Sequence, residues 1–187
     1  MNGKMMKTAL LVIDVQMALA ADDAGGAERS CRGAEDNIAR LLKAFRDDGK
    51  LVAHVHHHGM DEADPFHPAA NGAAVQPFAA PAEGEPVVVK TSSSGFAGTG
   101  LEAILRDAGV GRVVLCGATA NHCVESTTRS AADLGFQPIY AADAVWAYGA
   151  AAPDGTAHNA ETIHSVTMAT LHGEIADVRR TAEILAM

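Results

Sequence analysis

The chain reads as a three-layer, Rossmann-like α/β fold: a six-stranded, mainly parallel sheet with helices on both faces. Two observations predict it. Short apolar runs with the length of buried strands alternate with segments of helical spacing along the whole chain. Glycines also fall where each helical segment should stop, at Gly49, Gly109 and Gly135. Strands alternating with helices produce a parallel sheet crossed over and covered on both sides.

Residues 8–13 form the first apolar run. Helical spacing follows at Ile38, Leu41, Leu42 and Phe45, which puts one apolar stripe inward before Gly49. Residues 51–55 give a second strand, and 86–89 begin a third. Thr99-Gly100-Leu101-Glu102 is a capping-box pattern, opening a helix that turns Leu101, Ile104 and Leu105 inward. Residues 112–115 make a fourth strand, 123–134 a helix, 137–141 a fifth strand and 160–171 another helix. Residues 174–178 are the sixth strand, ahead of a final helix. The long irregular stretches, 56–85 and 142–157, are candidate lids over a pocket.

Bulk properties narrow the function classes. With 187 residues the expectation is one domain over 1–187, large enough for a substantial core. No apolar run is long enough to span a bilayer, and the run after Lys7 meets Asp14 too soon for a secretory signal. A net charge of −9, with no basic cluster, argues against nucleic-acid and anionic-membrane partners. Cys31, Cys116 and Cys123 are odd in number and lack zinc-like spacing, which reads as a reduced, cytoplasmic protein with a free thiol.

The chemistry concentrates at strand ends. In parallel α/β sheets, ligands bind beyond the carboxyl ends of the strands, where strand order reverses. Asp14 ends the first strand, Lys90 the third, and Cys123 follows the fourth, so all three project from one edge. A thiol at a helix N-terminus beside a lysine gains thiolate character, and an aspartate can take its proton. Singly, each residue has an ordinary role: a turn aspartate, a solvated lysine, a small buried cysteine. That ordinary reading does not predict their emergence at one edge.

Leu11-Val12-Ile13-Asp14-Val15-Gln16, Val88-Val89-Lys90 with Gly95-Phe96-Ala97-Gly98-Thr99, and Cys116-Gly117-Ala118-Thr119 to Cys123-Val124 together resemble the isochorismatase-like cysteine hydrolases. The order is the family's and the match runs over nearly the whole chain, including Ala142-Asp143-Ala144. The resemblance implies a six-stranded parallel sheet and a catalytic triad of Asp14, Lys90 and Cys123. It also implies a cis peptide between Ala118 and Thr119, and an oxyanion hole made by the N–H groups of Thr119 and Cys123. The implied reaction is hydrolysis of a C–N bond in a small amide or carbamoyl compound through a thioester. Homodimers or homotetramers are implied as well. Vinyl-ether hydrolysis and a catalytically silent binding domain of the same fold are the alternatives.

Candidate pocket residues are Gln16, His56, Phe66, Phe96, Asn121, His122 and Trp146, with Tyr148 a further aromatic able to wall the pocket; all lie in or beside the motifs and proposed lids. Nicotinamidases of the family hold a metal through an Asp and two His. The cluster His54, His56, His57, His58, Asp61, Asp64 and His67 lacks that spacing, so no metal is expected. Residues 95–100 lack the glycine order and the Lys-Ser/Thr ending of a phosphate loop, so no nucleotide cofactor is expected either.

Overall fold

The computed structural model describes residues 6–187. In chain order, β1 is Lys7–Ile13, α1 Met17–Ala24, α2 Ala34–Asp47, β2 Val52–His57, β3 Val87–Lys90 and α3 Leu101–Asp107. Then come β4 Val110–Ala118, α4 Glu125–Asp133, β5 Gln137–Trp146, β6 Ala150–Ala151 and β7 Ala157–His158. The chain closes with α5 Ala160–Leu171, β8 Asp177–Arg179 and α6 Thr181–Leu185.

Six strands form one sheet in the order β3-β2-β1-β4-β5-β8, and every pairing is parallel. The first three strands build outward from β1 on one side, and β4, β5 and β8 build on the other. Strand order therefore reverses between β1 and β4, which opens a crevice beyond their carboxyl ends.

Alternation along β1 splits the core in two. Ala9, Leu11 and Ile13 face a layer that includes Leu101 and Leu105 of α3, Ala131 of α4 and Leu171 of α5. Leu10 and Val12 face the stripe Ile38, Leu41, Leu42 and Phe45 of α2, with Leu19 of α1 and Ile184 of α6. That stripe is the one the helical spacing predicts, and each of its residues is at most 5% exposed.

Several boundaries move. Thr99 is not the cap of α3: Gly100 takes that place, Thr99 accepts from the N–H of Leu101, and Glu102 pairs with Arg106 on the same helix. The helix expected to begin at Cys123 is preceded by a π-helical turn, Ala120–Val124, which contains the cysteine. β5 continues through Trp146, because a register shift between Leu115 and Gly117 lets residues 145–146 pair again with the end of β4. The proposed second lid thus shrinks to the short β6–β7 hairpin. The sixth strand lies at Asp177–Arg179, with Glu174 in the preceding turn.

The long stretch after β2 is pinned rather than loose. Glu85 receives Arg46 at 2.7 and 2.8 Å, the buried His54 Nε2 lies 2.8 Å from the same carboxylate, and the Ala82 N–H donates to it. Among the described residues, no helix is long and apolar enough to cross a membrane.

Candidate active site

Asp14 follows β1 in left-handed backbone, with φ 50°, a conformation that aspartate tolerates better than bulkier residues. Its N–H donates to Val55 O at 2.8 Å, and its own carbonyl accepts from the N–H of Gln16 at 2.9 Å, which fixes the bend. Lys90 closes β3 opposite His57 of β2. Its four-carbon stem carries Nζ inward, and the residue is only 1% exposed. Nζ lies 2.7 Å from Asp14 Oδ2, 3.3 Å from Cys123 Sγ and 3.4 Å from His57 Nδ1. The three ammonium hydrogens thus have three partners.

Cys123 is placed from the β4 side. Gly117 adopts φ 117°, and a Cβ there would meet Ile13 O at 2.0 Å, so only glycine lets β4 bend this close to β1. The next peptide, Ala118–Thr119, is cis. The π turn is tied down as Thr127 Oγ1 donates to Cys123 O at 2.6 Å and accepts from the Gly95 N–H at 2.9 Å. The segment containing Gly95 is thereby anchored beside the nucleophile's turn.

Burial pushes the Cys123 thiol up to about 12, the neighbouring Asp14 charge adds to the rise, and Lys90 opposes it. This corrects the expected thiolate: dehydration of the sulfur outweighs the nearby cation. Burial also raises the Asp14 carboxyl, against the pull of Lys90. Lys90 Nζ bridges the thiol and Asp14 Oδ2, and the buried Asp14 Oδ1 has no hydrogen-bond partner among the described residues. A protonated thiol and a carboxylate thus share one ammonium, which places an acceptor for the thiol proton in the same cluster.

A cavity of about 270 Å³ opens over these groups, lined by Asp14, Leu19, His57, Phe66, Ala118, Thr119, His122, Cys123 and Tyr148. Of the sequence-derived pocket candidates, Phe66, His122 and Tyr148 line it. Gln16 is fully buried and clamps the His57 peptide groups and Ala73 O. His56 turns to the other side of β2, edge-on to His54 at 6.2 Å. The half-buried Phe96 stacks on Phe136 at 5.9 Å, against the core. Asn121 lines a neighbouring groove with Glu125 and Arg129 and lies 3.3 Å from His122 Nε2. Trp146 is fully buried in β5, with Arg29 over its ring at 4.4 Å and its Nε1 donating to Tyr148.

Leu19 and His57 were missed. Period-two alternation could have found His57, since it shares the Val55 side of β2 while His54 and His56 share the other. Tyr148, an aromatic beside the second proposed lid, is held in place by its hydroxyl, which donates to Asp23 Oδ1 at 2.8 Å. Among the described residues no three His, Cys, Asp or Glu side chains converge in a geometry that could hold a metal ion. A larger hollow of about 730 Å³ lies at the opposite end of the sheet, beside Lys7, Lys50 and Val110, and its lining includes no cysteine.

Fold and site define a Rossmann-like α/β protein with a cysteine, a lysine and an aspartate in contact at the switch point of its sheet. The chain belongs to the isochorismatase family: the isochorismatase domain model matches residues 8–172. It is 36% identical to the isochorismatase-family protein YrdC of Bacillus subtilis over 96% of this chain and 95% of that one. It is 32% identical to ureidoacrylate amidohydrolase RutB of Variovorax paradoxus over 83% of this chain and 75% of that one. An isochorismatase-family structure from Chromobacterium violaceum superposes with a TM-score of 0.91, at 36% identity, covering 96% of this chain and 92% of that one. The chain is thus an isochorismatase-family hydrolase.

Proposed function

We propose that this hydrolase cleaves the C–N bond of a small amide or carbamoyl compound, with Cys123 as nucleophile, Asp14 as base and Lys90 as the cation that holds both. The observation that carries the reading is Lys90 Nζ in contact with Cys123 Sγ at 3.3 Å and Asp14 Oδ2 at 2.7 Å. RutB, an amidohydrolase by name, supports the same bond type.

Asp14 takes the thiol proton as Sγ attacks the carbonyl carbon, so the sulfur is ionised only as it reacts. The oxyanion receives hydrogen bonds from the Thr119 and Cys123 N–H groups, donors of a kind worth about 3 kcal/mol each in such sites. The C–N bond breaks, and the leaving nitrogen takes the proton from Asp14. Water then attacks the thioester, giving a proton to Asp14. That proton returns to Sγ as the carboxylic acid departs.

Ammonia release from a panel of small primary amides, ureas and carbamoyl compounds tests the reading. Turnover by the native chain should fall at least about a thousandfold in Cys123→Ala. Equal turnover by that variant would refute the nucleophile.

A further inference from the structure

The triad leaves one cavity group unexplained. His57 is not a member of it, yet its ring lines the cavity and its Nδ1 lies 3.4 Å from Lys90 Nζ. An ammonium can only donate, so Nδ1 is the acceptor and the ring proton of the neutral imidazole resides on Nε2. Among the described residues the ring's one hydrogen bond is made through Nδ1, which leaves Nε2 free to donate. Burial and the Lys90 charge both hold the ring below its ordinary pKa, which keeps it neutral.

The ring is also fixed in place. Gln16 Oε1 accepts from the His57 N–H at 2.8 Å and Gln16 Nε2 donates to the His57 carbonyl at 2.9 Å, so one side chain grips both peptide groups. Phe66 meets the ring edge-on at 5.5 Å. A tautomer set by one neighbour and an orientation set by two others make a preorganised donor. The cavity lining contains no Arg or Lys, and Leu19, Phe66 and Tyr148 give it apolar walls.

We propose that His57 is a substrate-binding residue whose Nε2–H donates to a carbonyl oxygen or ring nitrogen of an uncharged small amide. For its substrate this rests on the amidohydrolase reading, but its test does not require turnover. Iodoacetamide is an uncharged primary amide that alkylates thiols, and iodoethane alkylates them without offering a hydrogen-bond acceptor. The rate at Cys123, assigned by peptide mass mapping, is measured with both reagents in the native chain, His57→Phe and His57→Gln.

The expected result is about a tenfold loss of the iodoacetamide rate in His57→Phe, the worth of one neutral hydrogen bond. The iodoethane rate should be unchanged, and His57→Gln, which keeps a donor near Nε2, should recover most of the loss. Equal losses with both reagents would mean that His57 acts on the thiol through Lys90 and would overturn the proposal. No loss with either would overturn it too. Should His57→Phe not fold, His57→Leu is read the same way. If the native chain releases no ammonia from any amide while the alkylation pattern holds, the amidohydrolase reading fails and the His57 site stands.

Discussion

At the scale of single residues, the site is a compromise between burial and charge. Lys90 and Asp14 form an ion pair at 2.7 Å with both side chains at most 5% exposed, so each is the main compensation for the other's desolvation. Lys90→Met should therefore cost about 3–5 kcal/mol in urea unfolding, because it strands a buried carboxylate. Adding Asp14→Asn removes that stranded charge, and the double variant should recover a substantial part of the loss while remaining inactive. Additive losses would show that the pair is not coupled in the fold. The same burial decides the state of the nucleophile. With the Cys123 thiol pushed up to about 12, its alkylation rate should climb steadily from pH 7 to pH 9. A plateau by pH 7 would show a standing thiolate and contradict the proton transfer assigned to Asp14.

At the scale of elements, the reactive groups are placed by how strands end. Asp14 and Cys123 flank the reversal between β1 and β4, and the approach of those two strand ends depends on Gly117. Gly135 provides a comparison: its φ is 81°, but a Cβ there would meet nothing within 4 Å. Gly135→Ala should lose only the conformational term, about 1 kcal/mol, whereas Gly117→Ala adds a collision with the Ile13 backbone and should lose well over 2 kcal/mol. Thermal melts of the two variants compare these costs directly, and similar losses would count against the close approach. These strand ends were legible in the sequence because apolar runs and the polar residues that stop them are local signals. The α2 stripe was legible for the same reason. Helix α1 was not: Met17–Ala24 is short and alanine-rich and has no apolar stripe to mark it. The cavity walls were only half legible. Leu19 comes from that unmarked helix, so long-range packing brings it to the cavity, whereas Phe66 and Tyr148 were marked as aromatics beside the proposed lids. Trp146 belongs to the core and the half-buried Phe96 packs against it, so neither of these aromatics walls the cavity.

At the scale of the whole molecule, the distribution of histidines sets a pH response that the site alone would not suggest. His54, His56, His57 and His164 are all held below the ordinary histidine value, with burial the largest cause in each and His56 lowered to about 4. Each is neutral in the fold and titrates near pH 6.5 once unfolded, so between about pH 6.5 and 4 the unfolded chain binds more protons. Their contribution is complete above pH 6.5 and is lost as pH falls through that window. Glu85 does not reverse the trend: its carboxyl, lowered to about 2 chiefly by Arg46, keeps its contribution until pH drops below about 4.5. Asp14 works the other way, since a raised carboxyl favours the fold at lower pH, but it is one group against four. The urea midpoint should therefore fall between pH 7 and pH 5, well before the carboxylates titrate. His56→Gln removes one of the titrating groups and should flatten part of that slope. A midpoint independent of pH over this range would mean that the histidines take up protons in the folded state. In that case the edge-on packing of His54 against His56 would have to open without loss of the sheet.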